Sequence, residues 1–170
     1  MDKKMVKTLV MCCEAVLAIV ALVLLMATAS VKYTYTGALT GKTVTSVAGT
    51  TGIFGGTDAE YSAPWAGMLS FIFIVVAVVV LCCLFVLALL KKNFKLAGIF
   101  KFVAAGLLIV AGVFVFFEVA AWTAANGDAA FAVGSYASGK YSLGAGWLIG
   151  GILAIVAGGL SCAEAFLMKD

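Results

Sequence analysis

Four apolar stretches of about 20 residues or more constrain this chain more than any other feature of its sequence. They run over about Thr8–Ala29, Trp65–Leu90, Leu96–Ala125 and Leu143–Met168. An apolar helix of about 20 residues crosses the ~30 Å hydrocarbon core of a bilayer. The sequence therefore predicts an all-α transmembrane fold, in which residues 1–170 form a single four-helix bundle with four spans.

The charged residues restrict the function further. Of the 170 residues, 65% are hydrophobic and 11% are charged, all 11 cations are lysine, and histidine is absent. Histidine-based catalysis, histidine metal ligation and bidentate arginine recognition of phosphate or bases are therefore excluded. We expect no enzyme activity, no catalytic or metal-binding residues, no cofactor and no nucleic-acid partner. The expected partner is the lipid bilayer.

The first span also resembles a secretory signal. Lys3, Lys4 and Lys7 precede an apolar run that ends in the small-residue sequence Ala27-Thr28-Ala29-Ser30. The run is about 22 residues long, against about 7–15 for the apolar region of a signal peptide. Its length favours a helix that is retained in the membrane.

The lysines predict an orientation, because Lys in short loops stays on the cytoplasmic side. Lys32, Lys42 and Lys140 fall on one side of the predicted spans. The other side holds eight: Lys3, Lys4, Lys7, Lys91, Lys92, Lys95, Lys101 and Lys169. This 8:3 split predicts a cell-membrane protein with both termini cytoplasmic, an inner turn at 91–95, and outer loops at about 30–64 and 126–142.

The outer loops carry strand patterns. The segments Val31–Thr36 and Lys42–Val47 alternate apolar and polar residues around a glycine-containing break at Gly37–Gly41. Such alternation with β-branched and aromatic residues predicts two short strands. The second outer loop has the composition for one more strand or a hairpin. We therefore expect a small extracellular β-sheet built from both loops.

Four residues of the first outer loop are candidates for an interaction surface. Ile53 and Phe54 form an apolar tip among glycines, and Tyr33 and Tyr35 lie on the first predicted strand. The tip either docks on a neighbouring subunit or packs against its own sheet. Further along this loop, Asp58 and Glu60 match no calcium-loop pattern, which favours solvated carboxylates over a cation site.

The fourth span carries a ribbon of small residues at every fourth position, formed by Gly146, Gly150, Ala154 and Gly158. Small residues let helix backbones approach closely where lipid supplies no hydrophobic drive for association. The ribbon predicts close helix packing, either with another span of this chain or with another subunit of a homo-oligomer.

Three carboxylates, Glu14, Glu118 and Glu164, fall within the predicted spans. A charge inside the membrane is costly, so such groups usually have a partner or a role. Lysines near the cytoplasmic ends are expected to neutralise Glu14 and Glu164, with an ion or proton pathway as the alternative. Lys101, near the start of the third span, is expected to reach the headgroups.

The five cysteines all map to the predicted cytoplasmic half, and the outer loops have none. They are Cys12, Cys13, Cys82, Cys83 and Cys162. We expect these cysteines to be free thiols that serve as small packing residues, with S-acylation as the alternative. The outer sheet therefore has no cysteine with which to form a disulfide.

The organisation resembles the claudin and peripheral-myelin-protein type of tetraspan, with inside termini, a long first outer loop and a shorter second one. In residues, the similarity lies in Tyr141–Trp147 and in the end of the last span at Gly158–Cys162. The W…GLW…C…C signature of that family is absent, so none of its functional residues is carried over. Other four-span families, such as the MARVEL group, share the topology.

These observations predict a structural or adhesive membrane protein that self-assembles laterally or through its outer loops. Strand pairing between the Val31–Thr36 segments of adjacent subunits is one route to such assembly. The alternatives are a channel or transporter subunit whose carboxylates line an ion path, and an accessory subunit that associates with other membrane chains.

Overall fold

A computed structural model describes residues 3–37, 41–56, 61–90, 96–127 and 138–167. The predicted inner turn at 91–95, the pair Asp58 and Glu60, and most of the second loop lie outside these ranges. The chain is mostly helical, and its elements in order are α1 Lys3–Ala27, β1 Ala29–Gly37, β2 Gly41–Ala48, α2 Gly49–Phe54, α3 Trp65–Leu89, α4 Ala97–Phe116, α5 Glu118–Asn126, β3 Ser138–Leu143 and α6 Ala145–Leu167.

Four of the helices, α1, α3, α4 and α6, are long and apolar enough to cross a membrane. They fall within the four predicted spans, so the prediction of four helices long and apolar enough to span a membrane is confirmed. Antiparallel packing places the sheet at one end of the bundle, called the sheet end below, and the start of α1 at the other, called the far end.

The third predicted span is not one continuous helix. It ends at Phe116, and the Phe117 N–H donates to the Phe114 carbonyl at 3.0 Å, three residues back, before α5 begins at Glu118. The prediction of a single helix over 96–125 is therefore wrong at this point. Three of the four residues 114–117 are phenylalanine, and aromatic side chains restrict a helix more than straight-chain ones do.

Helix α6 lies between α1 and α4, and its glycines set the spacing. A Cβ added at Gly150 would lie 2.7 Å from Leu25 Cδ1 of α1, and one at Gly158 would lie 2.8 Å from the Ala105 carbonyl oxygen of α4. A Cβ added at Gly146 would likewise overlap the side chain of Thr28, just after α1. Ala154 is fully buried in the core. The small-residue ribbon is thus occupied by helices of the same chain.

The sheet has three antiparallel strands in the order β2-β1-β3. Tyr33 of β1 lies opposite Thr45 on one side and Tyr141 on the other. Both predicted strands of the first loop are confirmed, and the second loop contributes one strand. Because β1 is paired on both sides, the expectation that Val31–Thr36 pairs with an adjacent subunit is wrong: its backbone groups are already used within the chain.

The two faces of the sheet differ in chemistry. Val31, Val47 and Tyr141 pack against Trp122 of α5, which closes a small second core beneath the sheet. By strand alternation and register, the opposite face carries the three lysines of the sheet, Lys32, Lys42 and Lys140.

Adjacent glycines of α6 give a matched test of this packing. Gly158→Ala should lower the free energy of unfolding by about 1–3 kcal/mol, because the new methyl group meets Ile109 and the Ala105 carbonyl of α4. Gly159→Ala has no atom within 4 Å to meet and should be neutral or stabilising by up to about 1 kcal/mol. Unfolding in detergent measures both, and equal effects would contradict this packing.

Candidate functional site

A group of polar side chains lies inside the bundle toward its far end. Glu14 comes from α1, Lys101 from α4, and Ser161 and Glu164 from α6. All four are buried, with at most 5% of each residue exposed. We call these four residues the buried charge cluster.

Lys101 pairs with Glu164 across the α4–α6 interface, where its Nζ donates to Glu164 Oε2. The expectation that Lys101 reaches the headgroups is therefore wrong. Lys101 precedes the buried residues Ala104, Ala105 and Leu108 by three, four and seven positions, so it lies on the face of α4 that faces the bundle.

Glu14 faces Lys101, Glu164 and Ser161. Neither of its carboxylate oxygens has a hydrogen-bond partner of normal geometry among the described residues, and the same holds for Glu164 Oε1 and Ser161 Oγ. With every group ionised, two carboxylates share one ammonium group and the cluster has a formal charge of −1. Of the lysines expected to neutralise Glu14 and Glu164, the side chains of Lys4, Lys92 and Lys95 lie outside the described residues. Among the described residues, the interior Lys101 pairs with Glu164.

Glu118 occupies a separate site at the sheet end and is fully buried. Two glycines leave room for it: a Cβ added at Gly67 would lie 2.9 Å from Glu118 Oε2, and one at Gly52 would lie 3.1 Å from Oε1. The Glu118 oxygens have no hydrogen-bond partner of normal geometry within the described ranges. The site therefore holds a carboxyl group enclosed by α2, α3 and α5.

The electrostatics of Glu118 follow from this enclosure. It belongs to α5 and lies beyond the third candidate span, Ala97–Phe116. Burial raises the pKa of Glu118 from 4.5 to about 8. The backbone of Gly67 interacts with the carboxylate and lowers this pKa by a smaller amount than burial raises it. The folded protein therefore favours the neutral form of this carboxyl near neutral pH.

The two carboxylate sites are not joined by polar side chains within the described bundle. The residues between them include Ala18, Ile74, Leu108 and Ala154, all fully buried. Ser70 is also buried in this part of the bundle, and its hydroxyl donates to the Ala111 carbonyl at 3.0 Å. The described interior of one chain therefore offers no continuous polar route from Glu14 to Glu118.

The apolar tip of the first loop forms the short helix α2, which the glycine-rich sequence did not predict. Ile53 is fully buried in the bundle core, whereas Phe54 is 59% exposed, and its ring centroid lies 5.2 Å from that of Phe71 in an edge-to-face arrangement. Ile53 therefore packs within its own chain, in the bundle core rather than against the sheet alone. A Cβ added at Gly49 would meet the Leu25 and Met26 carbonyl oxygens at the C-terminal end of α1, which leaves no space there for a side chain.

The tyrosines of the sheet form a ring cluster. Tyr33 lies 6.2 Å from Tyr35 and 4.9 Å from Tyr141, measured between ring centroids. All three residues are half-buried, so the cluster contributes to the sheet itself.

The outer strands β2 and β3 each pair on one side only within the described part of the chain. Both outer strands carry exposed residues: Val44 of β2 is 53% exposed, Thr45 and Ser46 are also exposed, and so are Gly139, Lys140 and Ser142 of β3. A free strand edge presents unpaired backbone N–H and C=O groups that are able to pair with another chain.

Neither the role of Ser161 nor the interior position of Lys101 was predicted from the sequence. Helical spacing carries the signal for both residues. Lys101 shares a face with the small residues that follow it, and Ser161 lies three residues before Glu164, on the same face of α6.

No protein-family model matches the sequence, and no curated protein matches it. The resemblance to tetraspans therefore stays a prediction based on topology and on the last span.

The Lys101–Glu164 pair can be tested by removing one partner or both. Lys101→Met should destabilise the protein by about 3–5 kcal/mol, because it leaves buried carboxylates without a cation. The double variant Lys101→Met/Glu164→Leu should recover part of that loss, because it also removes the carboxylate that Lys101 paired with, while Glu14 stays buried. Unfolding in detergent measures both variants, and a double variant no more stable than Lys101→Met would argue against the pair.

The Glu118 site predicts a pH dependence. Because its pKa is raised in the folded state, the folded protein binds more protons than the unfolded chain between pH 4.5 and about 8. Stability should therefore fall as pH rises through this window. In a plot of melting temperature against pH, Glu118→Gln should reduce the slope between pH 4.5 and about 8. A plot identical to that of the unmodified protein would contradict a raised pKa for Glu118.

Proposed function

We propose that this protein is a non-enzymatic structural and adhesive component of the cell membrane that self-assembles through the free edge of β2. The observation that carries the proposal is the three-stranded sheet, whose central strand is paired on both sides and whose outer strands are paired on one side only among the described residues. In this proposal both termini are cytoplasmic and the sheet is extracellular, in keeping with the 8:3 division of lysines.

The packing of α6 supports assembly through the sheet rather than through the small-residue ribbon. Gly146, Gly150 and Gly158 are all in contact with helices of their own chain. A second subunit would have to displace those helices to use the ribbon. Backbone groups at a strand edge are open to a second chain without any such displacement.

The charge on the sheet favours edge pairing over stacking of two sheets. Lys32, Lys42 and Lys140 share the face that points away from the bundle. Two such faces placed against each other would bring like charges together, which is unfavourable. Pairing of two β2 strands in antiparallel orientation joins two copies about a two-fold axis and leaves these faces side by side.

The β2 sequence suits this role. Its Thr43-Val44-Thr45-Ser46-Val47 segment is rich in β-branched residues, which favour strands. β3 contains a glycine at Gly139, which weakens a strand. The β2 edge is therefore the better template for a second chain.

A pair of serines distinguishes the two edges. Ser46 of β2 and Ser142 of β3 both lie opposite Lys32, one on each side of β1, and both are exposed. In a background with the native cysteines replaced by alanine, a short thiol crosslinker should join Ser46→Cys subunits into dimers in native membranes. Ser142→Cys, the same substitution on the same face, should stay monomeric.

Four results would count against the proposal. Crosslinking of Ser142→Cys alone would place the interface at β3. Crosslinking of neither variant would exclude edge pairing. Liposome ion flux that is abolished by Glu14→Gln or Glu118→Gln would favour a channel or transporter subunit. Stoichiometric co-purification of unlike membrane chains would favour an accessory subunit.

A further inference from the structure

The buried charge cluster contains one more negative charge than positive. Glu14 and Glu164 are two carboxylates, and Lys101 supplies the cation that pairs with Glu164. All three lie within candidate membrane spans and are buried, so water does not compensate the remaining charge. An uncompensated charge in such a medium costs several kcal/mol, and the cluster therefore favours taking up one further positive charge.

The oxygen atoms of the cluster are arranged to receive that charge. Glu14 Oε1 and Oε2, Glu164 Oε1 and Ser161 Oγ are buried, and none has a hydrogen-bond partner of normal geometry among the described residues, although Glu14 lies beside both Glu164 and Ser161. Ser161 is an independent observation, since it is an uncharged hydroxyl that is fully buried and faces Glu14. Such a hydroxyl is able to donate to a carboxylate or to serve as an oxygen ligand of a cation.

We infer that Glu14, Glu164 and Ser161 form a binding site for one monovalent cation, either a proton or Na⁺, beside Lys101. A single positive charge brings the cluster to neutrality. A divalent ion would instead leave the four residues with a formal charge of +1. This inference is independent of the proposed assembly through β2.

Among the described residues, the titratable groups near this end of the bundle besides the cluster are Lys7 and the thiols of Cys12, Cys13, Cys82, Cys83 and Cys162. The charged side chains that act on Glu14 are Lys101 from α4 and Glu164 from α6. Lys7, two turns earlier on α1, is half-buried, and α3 presents the buried Leu81 toward the bundle. The response of the site to pH and to Na⁺ is therefore expected to depend on Glu14 and Glu164.

The experiment uses the full chain in nanodiscs with Glu118→Gln as the parent, so that the other buried carboxyl does not titrate. The melting temperature is recorded against pH in choline chloride and in NaCl of equal concentration. A proton site predicts a fall of at least about 3 °C as pH rises, equal in both salts. A sodium site predicts that NaCl reverses the fall and choline chloride does not.

Substitutions added to the Glu118→Gln parent test which residues bind the cation. Glu14→Gln, which is fixed in the neutral form, should abolish the dependence on both pH and Na⁺. Ser161→Ala should weaken the response to Na⁺ if the hydroxyl is a ligand, and should leave a proton response in place. If Glu14→Gln fails to fold, Glu164→Gln is the replacement, because it leaves Glu14 to pair with Lys101 and should abolish the same dependences.

Infrared spectroscopy provides a readout other than stability. The parent protein in choline chloride should show the C=O stretch of a protonated carboxylic acid, and Glu14→Gln should lack it or show it much reduced. For a sodium site, NaCl should remove the band. A parent whose melting temperature depends on neither pH nor Na⁺, or a Glu14→Gln variant that keeps the behaviour of the parent, would overturn the inference.

Discussion

Close approach of α6 to α1 and α4 is the contact on which the rest of the structure depends. Helices in lipid gain no hydrophobic free energy by associating, so dispersion forces between closely packed backbones must hold them together. Gly150 provides this approach toward α1, and Gly158 provides it toward α4. The start of α6 is also tied to α1 and to the sheet. The Trp147 indole N–H donates to the Leu25 carbonyl of α1 at 2.8 Å, and the N–H of Gly144, just before α6, donates to the Ser30 carbonyl of β1 at 2.7 Å.

The packed bundle confines the carboxylates to its two ends. Glu118 sits beneath the sheet in a space left by two glycines, and Glu14 lies beside a lysine that already has a partner. Between them the core is built from alanine and branched apolar side chains. This separation favours two local sites over a single route, because a carboxylate needs nearby polar groups to pass a cation onward.

The sheet is the part of the chain proposed to recognise a second copy. The Trp122 cluster covers one of its faces, and lysines occupy the other. Among the described residues, the backbone groups left for a second chain are those at the edges of β2 and β3. The helix faces that point away from the bundle are covered with large apolar side chains, as a lipid-facing surface requires. The division between an apolar helical body and a polar sheet end is the basis of the proposed adhesive role.

The sequence by itself determined the four spans, the two strands of the first loop and the small-residue ribbon, because length, alternation and spacing along one chain are local properties. Tertiary structure alone decided which chain the ribbon contacts, which strand is central, and which lysine meets Glu164. The position of Lys101 shows the reason: from the sequence it lies near a helix end, where headgroups are within reach. Only the packing of α4 against α6 turns it inward, and only then does Glu14 remain without a matching charge.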